Sequence, residues 1–268
     1  DVSPYTGQRY WSISDLSNYH TQREDTVKGI KYGAGNGNAA LKNVSSIQDL
    51  GNHRVKITYS SKASEVQNGM CFQSRPTVRD HAGTFFWKSK DIKMTSLDIH
   101  FLHGFGMVGQ HSENITMDDV DFEAPKESGR TTAGYADFVQ MSGCKGTINI
   151  SNCTFAGPHD DPINIHGTFN TVTAISSDRR TITVQYNHNE TAGFPNFFEG
   201  DEIEFMTKGN MITVEDSVRT VTKVDGPDGM GGNMGDGSGS LTTIKLTLNE
   251  AVPSDVQVNQ HVVENITY

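Results

Sequence analysis

An eight-residue apolar pattern recurs three times in the first two thirds of the chain, and nothing else in the sequence restricts the fold as much. Ile92-Lys-Met-Thr-Ser-Leu97-Asp-Ile99 reads apolar-x-apolar-x-x-apolar-x-apolar. Ile115-Thr-Met117-Asp-Asp-Val120-Asp-Phe122 repeats it, as does Ile148-Asn-Ile150-Ser-Asn-Cys153-Thr-Phe155. Each unit reads as two short strands with alternate residues turned inward on either side of a two-residue corner. The starts lie 23 and then 33 residues apart. A constant inner pattern at unequal spacing predicts stacked coils with one enlarged loop, placed at Glu123–Tyr135, where Pro125, Gly129 and Gly134 cluster. That is the signature of a right-handed parallel β-helix, in which each coil buries its face only against its neighbours. A β-sandwich would not repeat one phase three times. Segments with a capped 3.6-residue stripe are scarce, so helix content is expected to be low.

A second strand set follows the repeats. Gly106–Gln110, Ala136–Gln140 and Asp160–Asn164 can be laid over one another, which predicts a ladder of the amides Gln110, Gln140 and Asn164. The same overlay sets Asp137 and Asp161 one coil apart, about 5 Å by the spacing of paired strands. From Thr168 the pattern becomes ordinary antiparallel alternation over Thr171–Tyr186, Asp201–Met206, Ser217–Val224 and Leu241–Leu248. Asp178-Arg-Arg reads as a hairpin turn and Gly226–Gly239 as a long Gly-rich loop. The expected organisation is all-β. A parallel β-helix occupies 1–167, with an inserted or appended small antiparallel β-barrel over 168–268. Three coils are few for a solenoid, so the chain is expected to be part of a longer polypeptide.

Composition limits the partners. The formal net charge of −10, from 22 Lys and Arg against 32 Asp and Glu, opposes binding to nucleic acid or to an anionic membrane surface. No run approaches the ~18 consecutive apolar residues of a membrane span, and no signal-peptide pattern opens the chain. Cys71, Cys144 and Cys153 are odd in number and lack zinc-like spacing, which favours free buried thiols. His100 and His103 have no third ligand at a matching position, so neither metal nor cofactor is expected.

The densest polar cluster is Gly157-Pro-His159-Asp160-Asp161-Pro-Ile-Asn164-Ile-His166-Gly167. One reading is an Asx-type turn capping a strand, with His166 packed at its far end. The stacked Asp137 favours a catalytic reading instead. Three carboxylates within two coils repel one another, so one of them is expected to hold its proton beside ionised neighbours. Glycoside hydrolysis needs such a pairing, with one carboxylic acid protonating the leaving oxygen and a carboxylate activating water or attacking. A β-helix also offers a long open groove for a glycan.

These residues resemble glycoside hydrolase family 110, the bacterial α-1,3-galactosidases that act on blood group B and linear α-galactosyl structures. The resemblance is carried by Arg79-Asp-His-Ala-Gly-Thr-Phe-Phe-Trp87, His103-Gly-Phe-Gly106 with Gln110, Ser112-Glu-Asn-Ile-Thr116 and Glu127-Ser-Gly-Arg130. It continues through Ala136-Asp-Phe138, Gly143-Cys-Lys-Gly146 and the Gly157–Gly167 cluster. It is dense from Gly69 to Gly167 and looser through the barrel-like part, which the family also carries. What the resemblance implies is an inverting, metal-free hydrolase whose acidic positions are Asp137, Asp160 and Asp161. Asp160 is then assigned as general acid, with Asp137 and Asp161 holding the water. Substrate contacts are assigned to His159, Asn164, His166, Arg130, Gln110, His103 and Arg79. For several of these a bland reading stays open. Arg79 with Asp80 also makes a structural turn, Arg130 a solvated loop charge, and the amides a structural ladder. Trp87 reads either as a stacking platform or as core.

Two other readings compete. A polygalacturonase-like hydrolase would want a basic cleft, which this charge balance opposes. A non-catalytic carbohydrate-binding β-helix would keep the groove without the chemistry. The implied partner is a glycan with terminal α-galactose, and such glycans lie outside the bacterial cytoplasm, so export to the periplasm or medium is expected. Branched or linear substrate preference and oligomeric state stay open.

Overall fold

The computed structural model describes residues 18–23, 26–31, 44–61, 70–73, 81–128, 130, 132–158, 160–188, 191–192, 194–227 and 242–268. The fold is all-β. Helix is scarce among the described residues, with a 3-10 turn at Lys126–Ser128. The first strands are β1 (Asn18–Arg23), β2 (Thr26–Lys31), β3 (Val44–Gly51), β4 (Arg54–Tyr59) and β5 (Met70–Gln73). They pair antiparallel, β2-β1-β5 in one sheet and β3-β4 in another. The repeat pattern does not predict these antiparallel sheets.

Parallel pairing begins at Thr84. β6 (Thr84–Trp87), β8 (Met107–Gln110), β10 (Val139–Ser142) and β13 (Ile163–His166) form one parallel sheet. β7 (Lys90–Ile99), β9 (Glu113–Phe122), β11 (Lys145–Ser151) and β12 (Thr154–Phe155) form a second. The chain alternates between the two sheets. In the second, the repeat aligns residue for residue: Ile92, Ile115 and Ile148 share one column, Met94, Met117 and Ile150 the next. Leu97 pairs with Val120, and Ile99 and Phe155 both pair with Phe122. Ile115, Met117, Val120 and Phe122 are wholly buried between these layers. Phe122 stacks on Phe138 at 5.4 Å and on Phe155 at 5.0 Å.

The corners repeat as faithfully as the core. Left-handed backbone recurs at Lys88, His111 and Gly143, at Asp91, Asn114 and Gly146, and at Ser96, Asp119 and Asn152. Most of these are Gly, Asn or Asp, which tolerate that region because they have no Cβ or a short side chain that bonds locally. Adjacent corners are tied together. Asn114 donates to Asp91 Oδ1 at 2.8 Å, Ser96 to Asp119 Oδ2 at 2.7 Å and Asn152 to Asp118 Oδ1 at 2.8 Å. The bond from Asn152, and then one from Ser151, hold the Asp118 carboxyl below the usual carboxylate range.

β14 (Phe169–Ile175), β15 (Thr181–Tyr186), β16 (Glu202–Thr207), β17 (Arg219–Asp225), β18 (Thr243–Leu248) and β19 (His261–Asn265) close a six-stranded antiparallel barrel. Its inward residues, among them Val172, Val184, Tyr186, Phe205, Leu246 and Val263, are buried. The Asp178–Arg180 hairpin turn forms as expected, and Arg179 donates to the carbonyls of Val252 at 3.0 Å and Val256 at 2.8 Å. β19 was not foreseen, yet it pairs with both β14 and β16 and so closes the cylinder. Most of the expected Gly-rich loop lies outside the described residues.

Candidate functional site

Residues along a strand alternate between faces, and this divides the β6-β8-β10-β13 sheet cleanly. Phe86, Met107, Val139 and Met141 turn into the core. No Cβ fits at Gly109, where it would lie 2.6 Å from Met141 Sδ and closer still to the Phe86 ring. The opposite face carries two columns. Phe85, Val108, Gln140 and Asn164 make one; Trp87, Gln110, Ser142 and His166 make the other. Asn164, His166 and Gln110 thus share a face, as the sequence suggested. Ser142 is an addition to it, legible in hindsight from its position two residues after Gln140.

The amide ladder needs correction. Gln140 does stand opposite Asn164, but its other neighbour is Val108, and Gln110 stands opposite Ser142. The predicted overlay holds between β10 and β13 and is two residues out of register for β8. A two-residue slip leaves every side chain on its original face, so the alternation alone could not detect it.

Asp137 precedes β10 and is buried, at 2% exposure. Asn164 Nδ2, from the neighbouring strand, approaches Asp137 Oδ2 at 3.5 Å. The Phe138 amide donates to the Asp161 carbonyl at 3.1 Å, which continues the β10-β13 ladder back through the acidic positions. Asp137 and Asp161 therefore occupy matching places on adjacent strands. Asp160 is half-buried and Asp161 exposed. Gln140 Oε1 is buried with no hydrogen-bond partner among the described residues, an acceptor facing the same side as Asn164.

The remaining assigned residues spread around this centre. His166 Nδ1 lies 2.8 Å from the Gly167 carbonyl oxygen. His103 is exposed, stacked on His81 at 6.1 Å and edge-on to Tyr135 at 6.1 Å. The Arg130 guanidinium sits 5.7 Å from the centre of the Phe101 ring. His100 Nδ1 lies 3.2 Å from the Glu123 carbonyl oxygen. Arg79 and His159 lie outside the described residues. Cys144 and Cys153 are free thiols, and burial pushes the Cys144 thiol up.

The barrel meets the sheet at one edge of this face. His111 stands edge-on to both Phe198 and Tyr268, at 5.1 Å from each. Burial holds its imidazole below the ordinary range; Lys88 adds to that, while Asp201 and a backbone hydrogen bond to Pro195 oppose it. Glu264 of β19 is directly opposite Glu204 of β16, and its carboxyl abuts Gly167, where a Cβ would push that carboxyl aside. Burial, and then the Glu204 charge, push the Glu264 carboxyl up. Nothing in the sequence pattern signals Glu264, because its approach to Gly167 depends on how the barrel is seated.

No family model matches the chain. It is nevertheless similar along its length to curated bacterial proteins. It is 44% identical over 267 residues to alpha-1,3-galactosidase A of Streptomyces avermitilis, covering 100% of this chain and 41% of that protein. Alpha-1,3-galactosidase A of Peterkaempfera griseoplana is 39% identical over 268 residues, with 99% of this chain and 36% of that protein covered. The Bacteroides thetaiotaomicron protein of the same name is 38% identical over 218 residues, 80% of this chain and 36% of that protein. The chain spans about two fifths of the length of these curated relatives, and it is a homologue of alpha-1,3-galactosidases.

Proposed function

We propose that this chain carries the catalytic centre of an exo-acting, inverting glycoside hydrolase of family 110, which releases terminal α-1,3-linked galactose from blood group B-type or linear α-galactosyl glycans. The observation that carries this reading is the buried Asp137, met by Asn164 and matched by Asp161 on the adjacent strand, in a homologue of named alpha-1,3-galactosidases. The two parallel sheets, from Thr84 on, are read as walls of a right-handed parallel β-helix within a catalytic region over 1–167 whose first strands pair antiparallel. The part from 168 to 268 is read as a barrel domain seated beside it.

In this reading Asp160 protonates the glycosidic oxygen as the bond to the anomeric carbon breaks. Asp137 and Asp161 hold a water, take its proton and direct its oxygen to the opposite face, so that β-galactose leaves. Inversion needs about 6.5–9.5 Å between acid and base, so that a water fits between them and the sugar. Asn164 orients Asp137, and Gln140, His166, His159, Gln110, His103, Arg130 and Arg79 supply hydroxyl contacts along the glycan. Its substrates being extracellular glycans, the enzyme is read as exported.

The test is galactose release from the branched blood group B trisaccharide, linear α-1,3-galactobiose and an α-1,4-linked control, with proton NMR following the anomer first formed. β-Galactose from the α-1,3 substrates alone is the expected result. Silence on all three, with galactose still bound, would replace the reading by a carbohydrate-binding one.

A further inference from the structure

The outer face of the β6-β8-β10-β13 sheet does not end at the carboxylates. Three strands away from Asn164 and His166, the same two columns end in Phe85 and Trp87. From β10, which Asp137 precedes, β6 is two parallel-strand steps away, about 10 Å, and Phe85 and Trp87 also stand further along the strand direction than the level of Asp137. A single sugar bound at Asp137 does not reach them and an oligosaccharide does. Phe86, between them, packs into the core, so alternation fixes both neighbours on the outer face. Both are large and open: Phe85 is 48% and Trp87 37% exposed, their rings 6.2 Å apart and inclined at 71°. A solvent-facing pair of aromatic rings costs stability unless something covers it.

We propose that Phe85 and Trp87 form a second sugar-binding position, an aromatic platform for a pyranose ring further along the glycan whose terminal galactose sits at Asp137. The inference rests on the functional reading above and extends it to the substrate's length. The occupant follows from the chemistry of the face. Between the platform and Asn164 and His166 the two columns hold Gln110, Gln140 and Ser142, with Val108 buried among them, a neutral polar stretch without charge. Lys88, the nearest cation in sequence, is engaged with its ammonium 3.2 Å from the centre of the Phe198 ring. A neutral glycan suits this face; its ring C–H groups lie against the indole and its hydroxyls meet the amides.

The experiment compares Trp87→Ala, Phe85→Ala and Trp87→Phe in the full-length enzyme on α-galactosyl fluoride, which has no second ring, and on α-1,3-galactosyl oligosaccharides of increasing length. The alanine variants are expected to raise KM for the longer glycans about five- to tenfold. They should leave kcat, and all kinetics on the fluoride, unchanged, and Trp87→Phe should restore most of the loss. Equal effects on fluoride and oligosaccharide, or none on either, would overturn the platform. So would a change in oligomeric mass without a KM split, since a second copy of the chain would then cover the rings. If wild type hydrolyses neither substrate, the hydrolase reading fails. The platform is then judged by titrating the same oligosaccharides into wild type and Trp87→Ala: weaker binding by the variant supports it, identical binding overturns it.

Discussion

Asn164 reaches across one strand to Asp137, its Nδ2 3.5 Å from Oδ2. The contact ties an amide on β13 to the one acidic candidate that is fully buried. Removing it by Asn164→Ala is expected to lower kcat about tenfold, through misorientation of a group whose hydrogen bond to a charged partner is worth roughly 1.5–3 kcal/mol. KM should change less than about twofold and the unfolding midpoint little, because Asn164 is only half-buried. Steady-state kinetics beside a thermal melt separate the two effects.

The proposed division of labour between the carboxylates is separable by leaving group. Asp160→Asn should lower turnover of natural glycans by about 10²–10⁴ and recover strongly on α-galactosyl fluoride, which leaves without protonation. Asp137→Asn should lose activity on both substrates. The reverse pattern would exchange the two roles.

Gly109 is a packing position. Gly109→Ala drives a methyl group into the Phe86 ring and Met141 Sδ. Overpacking of this kind costs about 1–3 kcal/mol, read as a lowered midpoint in urea.

His111 makes the contact between sheet and barrel sensitive to acid. Its folded pKa lies below the ordinary 6.5, chiefly through burial. The unfolded chain therefore takes up the proton first, and stability falls as pH drops below 6.5 toward the folded value. Above 6.5 the contribution is constant. Plotted against pH, the unfolding temperature should bend in that window for wild type. Asn suits the left-handed corner, and in His111→Asn the bend should flatten.

Glu264 has the opposite sense. Its carboxyl is raised above the ordinary 4.5 by burial and by Glu204. Folding therefore becomes less favourable as pH rises above 4.5, where the unfolded carboxyl has already lost its proton. Glu264→Gln removes a like-charge cross-strand pair and should stabilise by up to about 1 kcal/mol at pH 7. Denaturant midpoints at pH 7 and pH 4 should differ from wild type only at the higher value.

The columns of the second parallel sheet were legible in the sequence because Ile115, Met117, Val120 and Phe122 each have an apolar counterpart at the same phase in a neighbouring unit. Burial enforces that phase, so the pattern survives in the residues. The shared face of Asn164, His166 and Gln110 was legible too, since alternation fixes faces. The register of Gln110 was not, because only hydrogen bonding tells Val108 from Gln110 as the partner of Gln140. β19 escaped notice because His261-Val-Val-Glu-Asn265 is short and ends in polar residues, one of which, Asn265, donates to Asp201 Oδ2 at 2.6 Å inside the structure. Glu264 and His111 acquire their surroundings from elements distant in the chain.

The corners that follow β6, β8 and β10 keep one length, and so do the corners inside β7 and β9 and between β11 and β12. Of the connections that lead back into the site sheet, 100–106 and 156–162 match in length and only 123–138 is longer. All the variation in coil length is thus confined to the segment that delivers Asp137. A lineage of such chains can lengthen or shorten that segment, and so reshape the surroundings of the buried carboxylate, while the repeating frame stays as it is. The site's outline is then changed by insertion and deletion at one seam, a shorter evolutionary path than rebuilding a packed interior.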